Sequence, residues 1–386
     1  MMGTDICLAY CTNIWSHHQA PLCMEFVRLL GGDQFKLCLF EQVPDEQRRL
    51  GYADCVPCHD WIVGPPTSNG ELQRLSQVIC EADVAVLGAV PQEIVRARAA
   101  TGKLTFIMSE RMSKKPFHWW RMLNPRFARG INEYRSIVNH GNVHYLAMGA
   151  YAAGDVRRLE IFGDRLWSWA YFADVAPHPP RSRTGSRIRI LWAGRMLDWK
   201  RVDMLLKAVA HVCPESNFGG LDLVGAGPEK ARLQKLAKKL NLGDKCKFHE
   251  PVPAEQVRKW MREADFYVLA SNRCEGWGVV ANEAMSEGAI LVANEQAGAA
   301  RTLVDHGRTG FLFQDNNPAD LADILRRLMV NAPLQDKIRQ SAWQEIQALW
   351  HPRVGAERLI GLSKGLLGLA IMPEYQEGPC CSCSLG

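Results

Sequence analysis

Short apolar runs alternate with helix-like segments along the first half of the chain. Five of these runs have strand character, namely Ile6 to Tyr10, Lys36 to Phe40, Val84 to Leu87, Leu104 to Met108 and Val143 to Ala147. Strands that alternate with helices are typical of a parallel sheet, because a parallel crossover is usually made by a helix. The pattern therefore predicts an α/β fold for this half.

The second half repeats a simpler pattern, in which a strand ends near a glycine and a helix follows. Arg187 to Arg195 is such a strand candidate, and helical spacing begins at Val202. Leu221 to Gly227 shows the pattern again, and Phe266 to Ala270 is a further short apolar run. Helical spacing from Val279 to Glu287 stops before a glycine, which suits the residue after a helix.

The composition is that of a globular protein with more than one core. The chain has 386 residues, of which 47% are hydrophobic and 23% charged, and this length suits two domains. No uninterrupted apolar stretch approaches the ~18 residues of a membrane-spanning helix. The N-terminus lacks the basic flank of a secretion signal. We therefore expect a cytoplasmic protein.

Cysteines are scattered through the predicted strands and helices. There are 13 of them, and this distribution indicates reduced thiols rather than a disulfide framework. Cys55, Cys58 and His59, like the three cysteines near the C-terminus, have the chemistry of metal ligands. A zinc site needs four ligands in a closed geometry, so we expect no structural metal.

The segment from Glu275 to Glu283 places two carboxylates around a pair of glycines at a predicted junction between a loop and a helix. Gly276 and Gly278 let the backbone come close to a ligand, and the first turn of a helix offers unpaired N–H groups to phosphate oxygens. Glu275 could accept hydrogen bonds from sugar hydroxyls, and Glu283 from ribose hydroxyls. The junction suits a sugar bonded to a diphosphate. The alternative is two solvated glutamates around an ordinary turn.

Two cations follow the strand candidate that ends at Gly194. Arg195 can clamp a phosphate in a fork, and Lys200 can add a point charge. Ligands of open α/β sheets bind beyond the carboxyl ends of strands, where these side chains are expected. Gly225 and Gly227 are weaker evidence, because most such turns only join a strand to a helix. The absence of a third glycine argues against a nicotinamide dehydrogenase.

From about Ile188 to Met329 the chain resembles the retaining glycosyltransferases of family 4. The resemblance implies the GT-B fold, in which two Rossmann-like, doubly wound α/β domains face each other across a cleft. The matching stretches are Ala193 to Lys200, Leu223 to Pro228, Phe248 to Val252, Ala264 to Ser271, Glu275 to Gly288 and Gly307 to Phe313.

Composition and the resemblance together predict the domain boundaries. Residues 1–175 would form an N-terminal acceptor-binding domain, and the stretch 176–186, rich in proline, serine and glycine, would be a linker. Residues 187–348 would form the donor-binding domain. A helix in 349–368 would return to the first domain, and 369–386 would be a disordered tail.

The resemblance also implies roles for individual residues. Arg195 and Lys200 would bind the donor diphosphate and act in catalysis together with Glu275, which would bond the sugar ring. Glu283 would bond the ribose, and a backbone segment at the end of a strand would meet the nucleobase. The donor-binding residues implied in this way are Glu283, Gly194, Gly276, Trp277, Gly278, Val279, Phe248 and His249.

Three residues of the first half are further candidates. His17 and His18 follow the first predicted strand, and they could contact the acceptor or the donor phosphate or be ordinary polar loop residues. Glu110 stands where many family members have a histidine followed by an acidic residue, although the histidine is missing here. Glu110 could orient the donor sugar or handle the acceptor proton, or it could pair with a neighbouring cation. We include His17 and Glu110 among the catalytic candidates.

Cations interleave with aromatic rings from Lys114 through Lys115 to Arg121. Such a segment can bind anionic acceptors, lie on a membrane surface or stack on bases. The alternative is a solvated helix with buried tryptophans. Because the net charge is only +5, we expect acceptor or lipid-headgroup contact, and so a peripheral membrane contact, rather than nucleic-acid binding.

These features predict transfer of a sugar from a nucleotide diphosphate sugar to a hydroxyl of a carbohydrate or lipid-linked acceptor. The resemblance implies retention of the anomeric configuration and a role in polysaccharide, lipopolysaccharide or glycolipid synthesis. No Asp-x-Asp sequence occurs, so we expect no cofactor and no catalytic metal. A nucleotide-sugar epimerase or hydrolase of the same fold, and a non-catalytic subunit that binds a sugar nucleotide, are the alternatives.

Overall fold

The computed structural model describes residues 6–45, 48, 56–112, 124–139, 141–180, 182 and 187–383. They form two compact units. The first comprises residues 6–45, 56–173 and 349–383, and the second comprises residue 48 and the described part of 174–348.

The first unit is built on a parallel sheet of seven described strands. Its order is β3-β2-β1-β4-β5-β6-β7. The strands are β1 (Leu8–Thr12), β2 (Phe35–Leu39), β3 (Ile62–Val63), β4 (Val84–Leu87), β5 (Leu104–Ser109), β6 (Val143–Met148) and β7 (Leu166–Trp169). The helices that follow them in the chain are α1 (Ala20–Leu30), α2 (Asn69–Glu81), α3 (Gln92–Ala100), α4 (Pro125–Asn139) and α5 (Ala152–Arg157).

The second unit holds a parallel sheet of six described strands in the order β10-β9-β8-β11-β12-β13. These strands are β8 (Ile188–Ala193), β9 (Phe218–Val224), β10 (Cys246–His249), β11 (Phe266–Leu269), β12 (Ile290–Asn294) and β13 (Phe311–Phe313). The helices are α6 (Val202–Val212), α7 (Lys230–Lys239), α8 (Ala254–Glu263), α9 (Val280–Ser286), α10 (Ala300–Leu303), α11 (Pro318–Met329) and α12 (Ala332–Leu349). The last helix of the chain, α13 (Pro352–Leu366), belongs to the first unit, where it packs on α1.

The hydrophobic pattern explains both sheets. Each of the five strands predicted in the first half is present, and β1 and β4 are buried along their whole length, as strands covered by helices on both faces must be. In the second unit, Val202, Leu205 and Val209 of α6 are at most 2% exposed, so the helical spacing read from the sequence is the core-facing stripe. The predicted fold class, two parallel-sheet α/β domains, is confirmed.

Each sheet has a topological switch point, where the chain turns from building one side of the sheet to building the other. The switch lies between β1 and β4 in the first unit and between β8 and β11 in the second. Loops that leave neighbouring strands there run in opposite directions and leave a crevice at the carboxyl ends of the strands. The two switch points are therefore the places to look for ligand sites.

Residues 380–383, which were expected to belong to a disordered tail, pack against β7. The backbone N–H of Cys380 donates to the carbonyl oxygen of Ser168 at 2.8 Å, and the N–H of Cys383 donates to that of Leu166 at 2.9 Å. Trp167 and Ser382 form an antiparallel bridge, and Cys380 is 2% exposed. The segment covers the edge of the sheet at β7, which would otherwise leave backbone groups unpaired.

The described part of the predicted linker is bound to the second unit. The N–H of Ala176 donates to Oγ of Ser286 at 2.8 Å, and its carbonyl oxygen accepts from Nε1 of Trp343 at 3.0 Å. Pro180 lies against Gly288, where an added Cβ would come within 2.4 Å of the proline ring. Residues 181 and 183–186 lie outside the described residues.

Every cysteine in the described part of the chain is a free thiol. Burial raises the pKa of several, Cys246 to about 12. None of the helices in the described ranges combines the length and apolar character needed to cross a bilayer.

Candidate functional site

The turns that leave β8 and β11 meet at the switch point of the second unit. Lys200 ends a short 3-10 turn, Asp198–Lys200, beyond β8. Asn272, beyond β11, donates its N–H to the carbonyl oxygen of Trp199 at 2.9 Å, and Glu275 donates its N–H to the carbonyl oxygen of Asn272 at 3.0 Å. A backbone hydrogen bond therefore joins two loops that are far apart in the sequence.

Lys200 and Glu275 contact each other directly across these turns. Nζ of Lys200 donates to Oε2 of Glu275, and the two side chains are 19% and 13% exposed. The sequence suggested separate roles, a phosphate cation and a sugar-binding carboxylate. The structure brings them together as one half-buried pair, which can present a donor and an acceptor to a single ligand.

The remaining predicted residues of this region lie at the end of β8. Arg195 is exposed beside Gly194 at the end of β8. The N–H of Gly194 donates to the carbonyl oxygen of Val224 at 3.0 Å. The N–H of Met196 donates to that of Ala226 at 2.8 Å, so the glycine-rich turn after β9 braces the turn that carries Arg195.

A tyrosine that the sequence analysis missed holds the end of β8. Tyr267 of β11 donates its hydroxyl hydrogen to the carbonyl oxygen of Ala193 at 2.9 Å, and its oxygen accepts from the N–H of Ala193 at 3.3 Å. Complete burial raises the pKa of Tyr267 well above its ordinary value, so this hydroxyl stays protonated. The only signal in the sequence was one hydroxyl group inside an otherwise apolar run.

The glutamate segment is braced by the turn before α10. Gly298 donates its N–H to the carbonyl oxygen of Glu275 at 3.3 Å, and Ala299 donates to that of Trp277 at 3.0 Å. A Cβ built on Gly298 would lie 1.6 Å from the carbonyl oxygen of Gly276, so only glycine fits there. Gly278 has φ +93°, a left-handed conformation that also favours glycine.

One predicted helix boundary in this segment needs correction. The helix α9 begins at Val280 rather than Val279, which is its N-cap residue. Trp277 is fully buried and donates from Nε1 to Oδ1 of Asn282 at 2.8 Å, so its indole is not exposed to a ligand. Glu283 lies in α9 and is 6% exposed.

The side chains of the predicted nucleobase segment contact other residues of the second unit. Nε2 of His249 lies 2.8 Å from Oδ1 of Asp222, and its ring packs edge-on against Trp260. Its carbonyl oxygen accepts from the N–H of Gly225 at 3.1 Å, and Phe248 packs against the hydrophobic core. The imidazole is therefore held at the edge of the sheet, because it contacts a carboxylate on the neighbouring strand.

In the first unit a cavity of about 520 Å³ lies at the carboxyl ends of β1, β4, β5 and β6. Glu110 lines it together with Thr12, Gln19, Arg111 and Tyr145. The hydroxyl of Tyr145 donates to the carbonyl oxygens of Ser109 and Glu110, each at 3.3 Å. The strand end that carries Glu110 is thereby held against β6.

The structure describes the histidine pair of the first unit but not the predicted cationic segment. The rings of His17 and His18 are tilted at 50° to each other with centroids 3.8 Å apart, and the N–H of His18 donates to Oγ of Ser16 at 3.2 Å. Neither belongs to the described lining of the cavity. Lys114, Lys115 and Arg121 lie outside the described residues.

Comparisons with known proteins find relatives for part of the sequence. The family model for glycosyl transferases group 1 matches residues 178–345. The D-inositol 3-phosphate glycosyltransferase of Streptomyces avermitilis is 34% identical over 182 residues, which cover 42% of this chain and 39% of that protein. The chain thus spans about two fifths of the length of the curated relatives it matches.

Solved structures resemble nearly the whole chain. HepE from Anabaena, crystallised in complex with UDP and glucose, has a TM-score of 0.66 at 17% identity, covering 92% of this chain and 98% of that chain. WaaG, a glycosyltransferase involved in lipopolysaccharide biosynthesis, has a TM-score of 0.61 at 17% identity, covering 92% and 100%. The second unit therefore contains the stretch that matches the group 1 glycosyltransferases, and the chain has the GT-B fold of the similar solved structures.

Proposed function

We propose that the protein is a retaining glycosyltransferase that moves a sugar from a nucleotide diphosphate sugar to an acceptor hydroxyl. The observation that carries the proposal is the contact between Lys200 and Glu275 at the switch point of the second unit. An ammonium group suits the diphosphate, and a carboxylate suits the hydroxyls of a sugar. Because the two side chains contact each other, they suit a ligand in which the sugar is bonded directly to the phosphate.

The chemistry follows from the charge that develops at the leaving group. As the bond between C1 of the sugar and the phosphate oxygen breaks, negative charge builds on the β-phosphate. Arg195 and Lys200 are the side chains that would stabilise it, without a catalytic metal. Lys200 has three N–H donors, so it can keep one on Glu275 and turn the others to the phosphate.

Retention places the attacking hydroxyl on the face from which the phosphate leaves. We infer a front-face reaction, in which the acceptor oxygen bonds to C1 as the C1–phosphate bond breaks, and the leaving phosphate takes the proton of the acceptor. Glu275 holds the sugar ring during this exchange, and Glu283 bonds the ribose. The fold neighbour crystallised with UDP and glucose supports a uridine nucleotide as the first donor to try.

A donor screen tests the proposal. Thermal shift and calorimetry would compare UDP-, GDP- and ADP-sugars, each with and without EDTA. We expect saturable binding of one donor that EDTA does not weaken. Lys200→Ala should weaken this binding, whereas Lys207→Ala, which removes a lysine of α6 whose side chain is 44% exposed, should not. Absence of binding by all donors, or equal binding in Lys200→Ala, would contradict the proposal.

A further inference from the structure

The cavity of the first unit contains a cation that the proposed donor chemistry does not use. Arg111 lines this cavity and is 8% exposed. Its guanidinium carbon lies 4.5 Å from the centre of the Tyr151 ring, and its Nε lies 3.5 Å from Oδ2 of Asp155. Both partners stand at the start of α5, so one element fixes the position of the guanidinium.

Two hydrogen-bond donor atoms of Arg111 lack a partner among the described residues. Within the described ranges, its Nε and Nη1 have no hydrogen-bond acceptor, although both atoms are buried. Asp155 offsets the charge but does not satisfy these donors, because the contact lacks hydrogen-bond geometry. An acceptor from outside the described protein atoms is therefore needed to complete the group.

Another buried arginine in the same unit shows what saturation looks like. Arg98 is fully buried, and its Nη1 and Nη2 donate to five backbone carbonyl oxygens. Its Nε donates to Oγ1 of Thr105 at 3.0 Å. Arg98 thus has a structural role, whereas Arg111 lines a cavity with Nε and Nη1 unpaired among the described residues.

The cavity also offers groups that suit hydroxyls. Nε2 of Gln19 donates to Oγ1 of Thr12 at 2.8 Å, and Oε1 of Gln19 is buried without a partner among the described residues. Glu110 is the acidic residue of the described lining. A carboxylate and an amide oxygen both accept hydrogen bonds from hydroxyl groups, and the carboxylate would repel an anion placed next to it.

We propose that this cavity binds an acceptor that carries an oxyanion as well as hydroxyl groups, and that Arg111 binds the oxyanion. The ligand class is a sugar or polyol with a phosphate monoester or a carboxylate. The planar fork of arginine suits both groups, and Tyr151 and Asp155 hold it in place. The inference rests on the proposed function in one respect, namely that the ligand of the first unit is the acceptor.

Calorimetry with three probes tests the inference on the full chain. Glucose 6-phosphate and glucuronate carry the two kinds of oxyanion, and glucose carries none. We expect at least one of the anionic sugars to bind about tenfold or more tightly than glucose, as charge-assisted recognition should give. The anion that binds more tightly identifies phosphate or carboxylate as the preferred group.

The variants assign any preference to Arg111. Arg111→Gln should bind the three probes alike, and Arg111→Lys, which keeps the charge but loses the fork, should keep only part of the preference. Arg28→Gln is the matched control, because Arg28 is an exposed arginine of α1 that does not line the cavity. Equal affinities in the wild type, or a preference that survives both Arg111 substitutions, would overturn the inference.

Lys200→Ala separates this inference from the proposed function. Because Lys200 belongs to the second unit, its removal should leave the preference for anionic sugars intact. A preference that disappears in Lys200→Ala but persists in Arg111→Gln would assign the oxyanion to the donor side and overturn the inference. Failure of all nucleotide sugars to bind would reject the proposed function, and the three-probe comparison would still decide the role of Arg111.

Discussion

Lys200 and Glu275 lie 75 positions apart in the chain, and the lysine donates a hydrogen bond to the glutamate. The pair lies beyond the ends of β8 and β11, where a backbone hydrogen bond from Asn272 to Trp199 joins the two following turns. Each of these two side chains restricts the positions that the other can adopt. A ligand that displaces or bridges the pair therefore experiences both charges together.

The first prediction concerns Glu275→Gln. This change keeps the size of the side chain but removes the charge that receives Lys200 and, in our proposal, the sugar hydroxyls. We expect turnover to fall by roughly 10²-fold or more, with the thermal midpoint of unfolding little changed. Steady-state kinetics and a thermal melt measure the two quantities. Near-normal turnover would remove Glu275 from the catalytic residues.

A second prediction concerns Gly298→Ala. Its Cβ would lie 1.6 Å from the carbonyl oxygen of Gly276, so the segment that carries Glu275 must move. We expect donor affinity to fall by about tenfold or more, because displacement of a positioning segment by an ångström is costly. Gly130→Ala in α4 is the control, since its Cβ would meet nothing within 4 Å. Unchanged donor affinity in Gly298→Ala would show that this bracing is dispensable.

Tyr267→Phe tests the hydroxyl that holds the end of β8. The substitution leaves the N–H and carbonyl groups of Ala193 without their shared partner inside a buried sheet. We expect the free energy of unfolding of the second unit to fall by about 1–3 kcal/mol. Urea unfolding measures this change, with Tyr375→Phe at a less buried hydroxyl as the control. An unfolding curve identical to that of the wild type would argue against the clamp.

His144 predicts how stability depends on pH. Nε1 of Trp167 donates to Nδ1 of His144 at 3.1 Å, so Nδ1 must be unprotonated, and Nε2 then donates to Oδ1 of Asn142 at 3.1 Å. Burial, aided by the nearby charge of Arg165, lowers the pKa of His144 to about 4 from an ordinary value of 6.5. The folded state therefore resists protonation that the unfolded state accepts.

The sign and the pH window follow from this lowered pKa. The stabilisation is fully present above the ordinary pKa of 6.5 and is lost as pH falls towards about 4. Within that window the free energy of unfolding should fall by about 1.4 kcal/mol per pH unit. Urea unfolding at several pH values measures the slope. His144→Gln should flatten it, and His211→Asn, an exposed control, should not; a slope that persists in His144→Gln would contradict the assignment.

The sequence predicted much of the fold because strand and helix periods are local. The five strands of the first half and the core stripe of α6 were identifiable from residue spacing alone. β3 and β7 were missed, since Ile62–Val63 is too short to show a period and Leu166–Trp169 mixes polar and apolar positions. The packed tail was missed because its order comes from pairing with β7, which leaves no local signal.

The candidate site was predictable as a set of residues but not as a set of contacts. Glycines and charges at strand ends identified Arg195, Lys200 and Glu275, because ligands bind there in open sheets. Their mutual geometry depends on strand order, which no local pattern reveals. The contact between His249 and Asp222 and the ion pair between Arg111 and Asp155 are also contacts that no local pattern reveals.

The most direct test follows the anomeric carbon during turnover. The donor selected by the binding screen would be incubated with an acceptor panel that includes sugar phosphates and uronates, and products would be followed by NMR in the wild type and in Glu275→Gln. In the wild type we expect a product with the donor's anomeric configuration and one nucleoside diphosphate released per product. Glu275→Gln should form little of either compound. Inverted product, or release of nucleoside diphosphate with free sugar and no glycosylated acceptor, would contradict it.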